Sequence, residues 1–368
     1  MDQEAQAQKL RTPPGDGDEA YQEHILQYVS RTFALTIPQL PKGLRRVVSN
    51  AYLLCRIADT VEDDNALDSE QTRRLADMFT QVVAGTVPAS KFSDELYPLL
   101  SEHTIEEEHD LIQNTESVIR ITHSFNDNQR NALERCVRIM AKGMADYQDA
   151  ETLDGLENLA AMDKYCYYVA GVVGEMLTEL FCDYSDEINA NKDELMKLAV
   201  SFGQGLQMTN ILKDIWDDRE RGACWLPRDI FEKEGFDLSD LNENNKDKNF
   251  QRGLEQLIAI ARNHLNDALT FTLMLPTHEK GIRKFCLWAL GMAVLSLDKL
   301  NKHRDFSRGV EVKITRKSVK ATVASTSLLV SNDWALKKLF NYTSRNLPTT
   351  DIRERLGQIK KQQKGQLK

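Results

Sequence analysis

Proline is scarce in this sequence. Only nine occur in 368 residues, at positions 13, 14, 38, 41, 88, 98, 227, 276 and 347. Glycine is also thin, at 18. The long intervals with no proline and few glycines argue against a fold of many short strands and favour long helices. No internal repeat and no convincing strand-like alternation is present. The six cysteines (55, 136, 166, 182, 224 and 286) form no CxxC pair. Several sit in apolar helical stretches, which suits reduced core residues of an intracellular protein. Positive charge is short as well: 47 Lys and Arg against 56 Asp and Glu give a net charge of -9. That excludes a general nucleic-acid binder, which needs a basic face. No apolar run is long enough to span a membrane, and the best, Phe285 to Leu297, falls short. The polar N-terminus MDQEAQAQKLRTPPGDGDEA does not read as a signal peptide. A cytoplasmic protein without a transmembrane anchor is therefore expected. No GxGxxG occurs, so any nicotinamide would bind without a Rossmann unit. Glu-x-x-His occurs once, at Glu106 to His109 in a hydrophilic stretch, which argues against a carboxylate-bridged di-iron bundle.

What is present suffices for a substantial core, since 41% of residues are hydrophobic. The expected organisation is a disordered tail over 1–19, one all-α domain over 20–356 and a frayed basic tail over 357–368. Helices are predicted near 42–65, 68–86, 92–101, 111–123, 127–150, 155–183, 189–219, 250–274, 278–302, 315–330 and 332–343. Residues 102–110 read as an exposed acidic segment, and 237–249 as a polar connection.

Two of these helices carry unusual polar stripes. In the first, Leu53, Leu54, Ile57, Ala58 and Val61 suit burial, while Tyr52, Arg56, Asp59 and Asp63 fall on one narrow face with Glu62 beside it. In the second, Gly203, Gln207, Asn210, Asp214 and Asp218 share a face, with Asp217 at its margin. One such cluster alone usually marks a solvated face. Two, each closing a polar stripe on an apolar helix, point to a shared divalent cation. Mg2+ favours a few carboxylates with waters and phosphate oxygens. Two such helices facing one another across a cavity would hold a diphosphate through Mg2+ and assist its departure.

Asp59-Thr-Val-Glu-Asp63 and Asp214-Ile-Trp-Asp-Asp218 resemble the paired acidic motifs of the squalene/phytoene synthase family. Ser30-Arg-Thr-Phe-Ala34, Tyr52-Leu-Leu-Cys-Arg56, Met140 to Ala145, Tyr165 to Gly174 and Gln207 to Asp214 resemble further family segments, in the family's order from about 25 to 320. The resemblance implies an isoprenoid-synthase helical bundle with a central cavity. It also implies condensation of two farnesyl diphosphates through presqualene diphosphate, with Mg2+ as cofactor. Lys164 to Gly171, Phe285-Cys286 and Val312-Lys-Ile314 with Arg316 and Lys317 resemble the branch that reduces the product to squalene with NADPH. The alternatives are a non-reducing relative yielding dehydrosqualene, phytoene or hydroxysqualene, and a non-catalytic helical scaffold.

The same resemblance implies the residue roles. Asp59, Glu62, Asp63, Asp214, Asp217 and Asp218 would hold the metal. Tyr168 would assist ionisation and accept a proton, Arg56 would act on the diphosphate, and Phe285 would shield cations from water. Ser30, Arg31, Thr32, Phe33, Tyr52, Gln207, Asn210 and Lys213 would bind substrate. Lys313 and Arg316 would contact NADPH. A monomer is expected. A hydrocarbon product makes peripheral membrane contact plausible, with the lysine-bearing tail as the segment to touch anionic lipid.

Overall fold

The computed structural model describes residues 17–30, 32–148, 152–243 and 245–349. Among them the fold is helical, and extended pairing is confined to one backbone bridge between Leu156 and Pro227. The expected tails fall mainly on residues 1–16 and 350–368, which lie outside the described residues; the first helix already begins at Asp18. The chain divides into two compact units.

Unit 1 comprises Met1–Asp149 and Val172–Met196. Its helices are α1 (Asp18–Val29), α2 (Lys42–Asp63), α3 (Ser69–Val83), α4 (Ala89–Leu96), α5 (Glu106–Gln113), α6 (Thr115–His123) and α7 (Asp127–Gln148). The chain leaves this unit with α8 (Leu159–Cys166) and returns to it as α9 (Val172–Tyr184). Helix α2 is the central element of unit 1 and packs on α1, α3, α6, α7 and α9. Its Leu53, Leu54 and Ile57 are fully buried. Each contributes roughly 1.5–3 kcal/mol of burial, which fixes the rotation of the helix and so the direction of its polar stripe. Asp68 and Gln71 form a reciprocal capping box that starts α3 just beyond the acidic end of α2.

Unit 2 comprises Ala150–Gly171 and Lys197–Lys368. Helix α10 (Lys192–Lys213) begins in unit 1 and ends in unit 2. It is followed by α11 (Ile215–Glu220), α12 (Arg228–Lys233), α13 (Lys248–Met274), α14 (Lys280–Lys302), α15 (Arg316–Leu329) and α16 (Asp333–Thr343). Helix α14 packs against α13 on one side and against α15 and α16 on others.

Three local features differ from the sequence reading. The helix expected over 155–183 is interrupted by a π-helical turn, Tyr167–Gly171. The helix expected over 189–219 kinks at Asp214, whose φ is -103 and ψ 15. The ladder still runs through that kink, because Asp214 N–H donates to Asn210 O at 2.9 Å and Asp218 N–H to Asp214 O at 2.8 Å. Part of the segment expected to be an exposed acidic loop forms α5, and Glu108 on it is half-buried.

Candidate active site

In unit 1 the polar stripe of α2 is organised around Arg56. Its guanidinium lies 3.9 Å from Asp59 and 3.5 Å from Glu108 of α5. It also donates to the Tyr52 hydroxyl at 3.2 Å. Tyr52 in turn donates to Val29 O at 2.9 Å, which ties the stripe to the end of α1. Burial works against the charged guanidinium, but Asp59, Tyr52 and Glu108 outweigh it and raise its pKa. The Asp59 carboxyl is pushed up to about 7, first by burial, with Arg56 opposing and the like charges of Asp63 and Glu108 adding. Glu108 is raised for the same reasons, burial first. One guanidinium therefore faces an excess of carboxylate charge.

Such an excess is the electrostatic signature of a cation site. Among the described residues no three His, Cys, Asp or Glu side chains converge to cage a metal. The donor set fits Mg2+, which takes one or two carboxylates and completes its shell with water and phosphate oxygens. Asp59 and exposed Asp63 are placed for this on the last turns of α2. Glu62, beside them, also lines a small, mostly apolar cleft with Ala58, Phe79 and Met144. Asp64 is spent on structure. It accepts from Ser101 N–H at 2.8 Å, Thr104 Oγ1 at 2.6 Å and Ala66 N–H at 2.9 Å, anchoring the segment that leads into α5.

Upstream, Ser30 Oγ accepts from the N–H groups of Phe33 and Ala34 at 3.0 and 3.3 Å, so it starts the next helical turn. Thr32 is exposed, and the Phe33 ring stands 5.4 Å from that of Tyr52. Arg31 lies outside the described residues.

In unit 2 the second acidic segment straddles the kink. Lys213 Nζ pairs with Asp214 at 2.9 Å and reaches Asn210 Oδ1 at 3.3 Å. Asp218 is buried and paired with Arg221 at 2.6 Å. Asp217 is exposed, and Gln207 is half-buried one turn before Asn210. Trp216 fixes the kinked segment by donating Nε1–H to Phe306 O at 2.9 Å. An added Cβ at Gly309 would lie 3.4 Å from both Asp217 Oδ2 and Lys213 O, so the turn before Lys313 packs closely on this acidic segment. Lys313 and Arg316 are both exposed. Phe285 is buried on α14.

Tyr168 lies in the π-helical turn, half-buried, with Lys164 Nζ 5.7 Å above its ring. A ring whose face already attracts an ammonium suits stabilisation of a cation. Tyr165 stacks on Trp225 with ring centroids 4.1 Å apart.

The sequence reading missed Glu108. Its only signal was an acidic run, which carries no information on which distant helix it will meet.

A profile of the squalene/phytoene synthase family matches residues 26–318. A squalene synthase of Cochliobolus lunatus is 28% identical over 279 residues, covering 74% of this chain and 63% of that relative. The chain thus spans less than two thirds of that relative's length. A solved structure of TcSQS in complex with a ligand shares the fold, with a TM-score of 0.70 at 24% identity, covering 94% of this chain and 96% of that one. A dehydrosqualene synthase structure shares it too, with a TM-score of 0.63 at 20% identity over 89% of this chain and 99% of the other. The match over residues 26–318 takes in both acidic segments, the arginine that organises the first and the tyrosine of the π-helical turn, and the chain belongs to the squalene/phytoene synthase family.

Proposed function

We propose that this chain is a squalene synthase. It condenses two farnesyl diphosphates head to head through presqualene diphosphate, and reduces that intermediate to squalene with NADPH. The observation that carries the reading is the Arg56 network, where one half-buried cation meets Asp59 and Glu108 beside Asp63. A carboxylate excess held by burial and like charge is what a Mg2+-diphosphate substrate relieves.

Mg2+, when bound, supplies charge stabilisation for the departing diphosphate. Asp59, Glu62 and Asp63 would offer it carboxylates from α2, and Asp214, Asp217 and Asp218 would offer the same donors from the second acidic segment. Arg56 stays protonated and donates to diphosphate oxygens. Lys213, Gln207 and Asn210 add donors along the same helical face as Asp214. Tyr168 would hydrogen-bond the departing diphosphate and pass its own phenolic proton to it, and the phenolate so formed would take the proton lost on cyclopropane formation, while its ring face favours the carbocation. Phe33 and Phe285 keep water from quenching that cation to an alcohol. NADPH supplies the reducing equivalent of the second step, and exposed Lys313 and Arg316 present donors for its phosphates.

The curated relative named squalene synthase supports this reductive reading. The test is incubation of the chain with farnesyl diphosphate and Mg2+, with and without NADPH. Squalene that forms only with NADPH is the expected result. An identical product in both tubes would assign a non-reducing reaction, and no turnover in either would leave a helical scaffold.

A further inference from the structure

The hairpin of α15 and α16 presents a surface unlike the rest of the chain. From residue 316 to residue 349 the sequence holds six Lys and Arg against one Asp, a net of +5 in a chain whose total is -9. Helix α15 contains no acidic residue. Helix α16 contains one, Asp333, which pairs with the buried Arg283.

Large apolar side chains stand out among these cations. Leu328 is 84% exposed, Trp334 70% and Tyr342 64%. On α16, Trp334, Lys338 and Tyr342 follow one another at helical spacing along one exposed stripe, and exposed Arg345 follows in the turn just past the helix. The cations sit on the rings: Lys338 Nζ is 5.7 Å from the Trp334 centroid and Arg345 Cζ 3.9 Å from that of Tyr342. Aromatic rings and aliphatic stems are thus aligned with their charged tips. This is the arrangement of side chains that lie at the boundary between headgroups and acyl chains.

We infer that the α15–α16 hairpin docks the protein on an anionic lipid surface, with Leu328, Trp334 and Tyr342 entering the interfacial layer and the surrounding Lys and Arg meeting the headgroups. Six cations against the one, paired Asp333 around these exposed apolar side chains favour a lipid surface over a protein partner. A stable protein interface gathers its anchors into a contiguous patch of about 800 Å2 per side, with charge depleted at its centre. No helix among the described residues is long and apolar enough to cross a membrane, so the contact is peripheral. The inference stands on charge and geometry and is independent of the reaction proposed above.

The test is flotation of the full chain with phosphatidylcholine vesicles, with and without about a third phosphatidylglycerol. Binding is expected only to the anionic vesicles and weakens as salt rises. Trp334 is the exposed tryptophan among four, since Trp216, Trp225 and Trp288 are buried, so a blue shift of emission on binding reports its insertion. The variant L328S/W334S/Y342S, altered only at exposed positions, is expected to keep its helical circular dichroism and bind roughly tenfold or more weakly. Equal binding to neutral vesicles, unchanged binding of the triple variant, or loss only on removal of residues 350–368 would each overturn the inference. So would the absence of binding to either vesicle.

Discussion

A Cβ placed on Gly203 would stand 2.1 Å from the carbonyl oxygen of Ala170. Helix α10 therefore crosses the π-helical turn with backbone against backbone, and Gly171 opposes it with its own Cα 2.9 Å from the same point. The turn that carries Tyr168 and the helix that carries Gln207 and Asn210 are held in register by the missing side chain. Gly203→Ala cannot be absorbed by a flexible tip, because the obstructing atoms are main chain. It is expected to cost about 1–3 kcal/mol in urea unfolding and to lower turnover by displacing Tyr168. Gly43→Ala is the control: nothing lies within 4 Å of its Cβ, and it should be neutral or slightly stabilising. Equal behaviour of the two variants would remove the close approach as the cause.

Asp59 carries a second prediction, in which activity and stability move in opposite directions. Its folded-state pKa of about 7 lies above the ordinary 3.8. The folded chain therefore holds that proton more tightly than the unfolded one. Stability contributed by the proton is present at low pH and is lost as pH rises through about 7. At higher pH the charged carboxylate is a burden, although 30% of its side chain still meets solvent and screens it. Without Mg2+ at pH about 8, Asp59→Asn is expected to stabilise the chain by roughly 1–2 kcal/mol while abolishing turnover. Added Mg2+ with diphosphate should raise the melting temperature of the wild type and much less that of the variant. A destabilised Asp59→Asn in the metal-free chain would show that Arg56 outweighs the like charges.

Much of this site was legible in the sequence, because its logic is local. Leu53, Leu54 and Ile57 repeat at helical spacing and fix which way Arg56, Asp59 and Asp63 point. Lys213 and Asp214 are adjacent, so their pairing needed no fold. Glu108 was not legible, since its partner Arg56 lies on another helix and an acidic run is equally at home in solvent. The π-helical turn was not legible either. The apolar pattern through Tyr167–Gly171 continues unbroken, and what goes with the widened turn is the approach of Gly203, which is tertiary. The cleft that Glu62 shares with α3 and α7 was not legible either, since it is tertiary.

Away from the site, Asp183 makes an acid-sensitive clasp in unit 1. It accepts from Asn126 Nδ2 at 3.0 Å, Asn128 Nδ2 at 2.9 Å and Gln129 Nε2 at 3.1 Å. Burial alone would raise its pKa, but the three amide donors outweigh it and lower the value below 3.8. A depressed carboxyl contributes stability above its unfolded pKa and loses it as pH falls through the folded value. Asp183→Asn is expected to cost about 1 kcal/mol near neutral pH, after allowance for solvent screening. The gap from wild type should close below pH about 4. A gap that stays constant to lower pH would assign the loss to geometry and not to charge.

Arg283 is the deepest charge in unit 2, with 0% of its surface exposed. It donates Nη1–H to Leu275 O at 2.7 Å and Nε–H to Val330 O at 2.8 Å, and its remaining nitrogen pairs with Asp333 at the start of α16. One side chain thus joins the end of α13, the start of α14 and the turn between α15 and α16. Arg283→Met keeps the apolar stem but leaves two buried carbonyls and a carboxylate unanswered. A loss of about 3–5 kcal/mol in urea unfolding is expected. Arg283→Lys keeps the charge without the planar fork and should recover only part of it. Phe285 lies two residues along the same helix. The Met variant should therefore also lose discrimination against water and release more alcohol by-product from farnesyl diphosphate. A Met variant as stable as wild type would show that the guanidinium costs as much to bury as its three partners return.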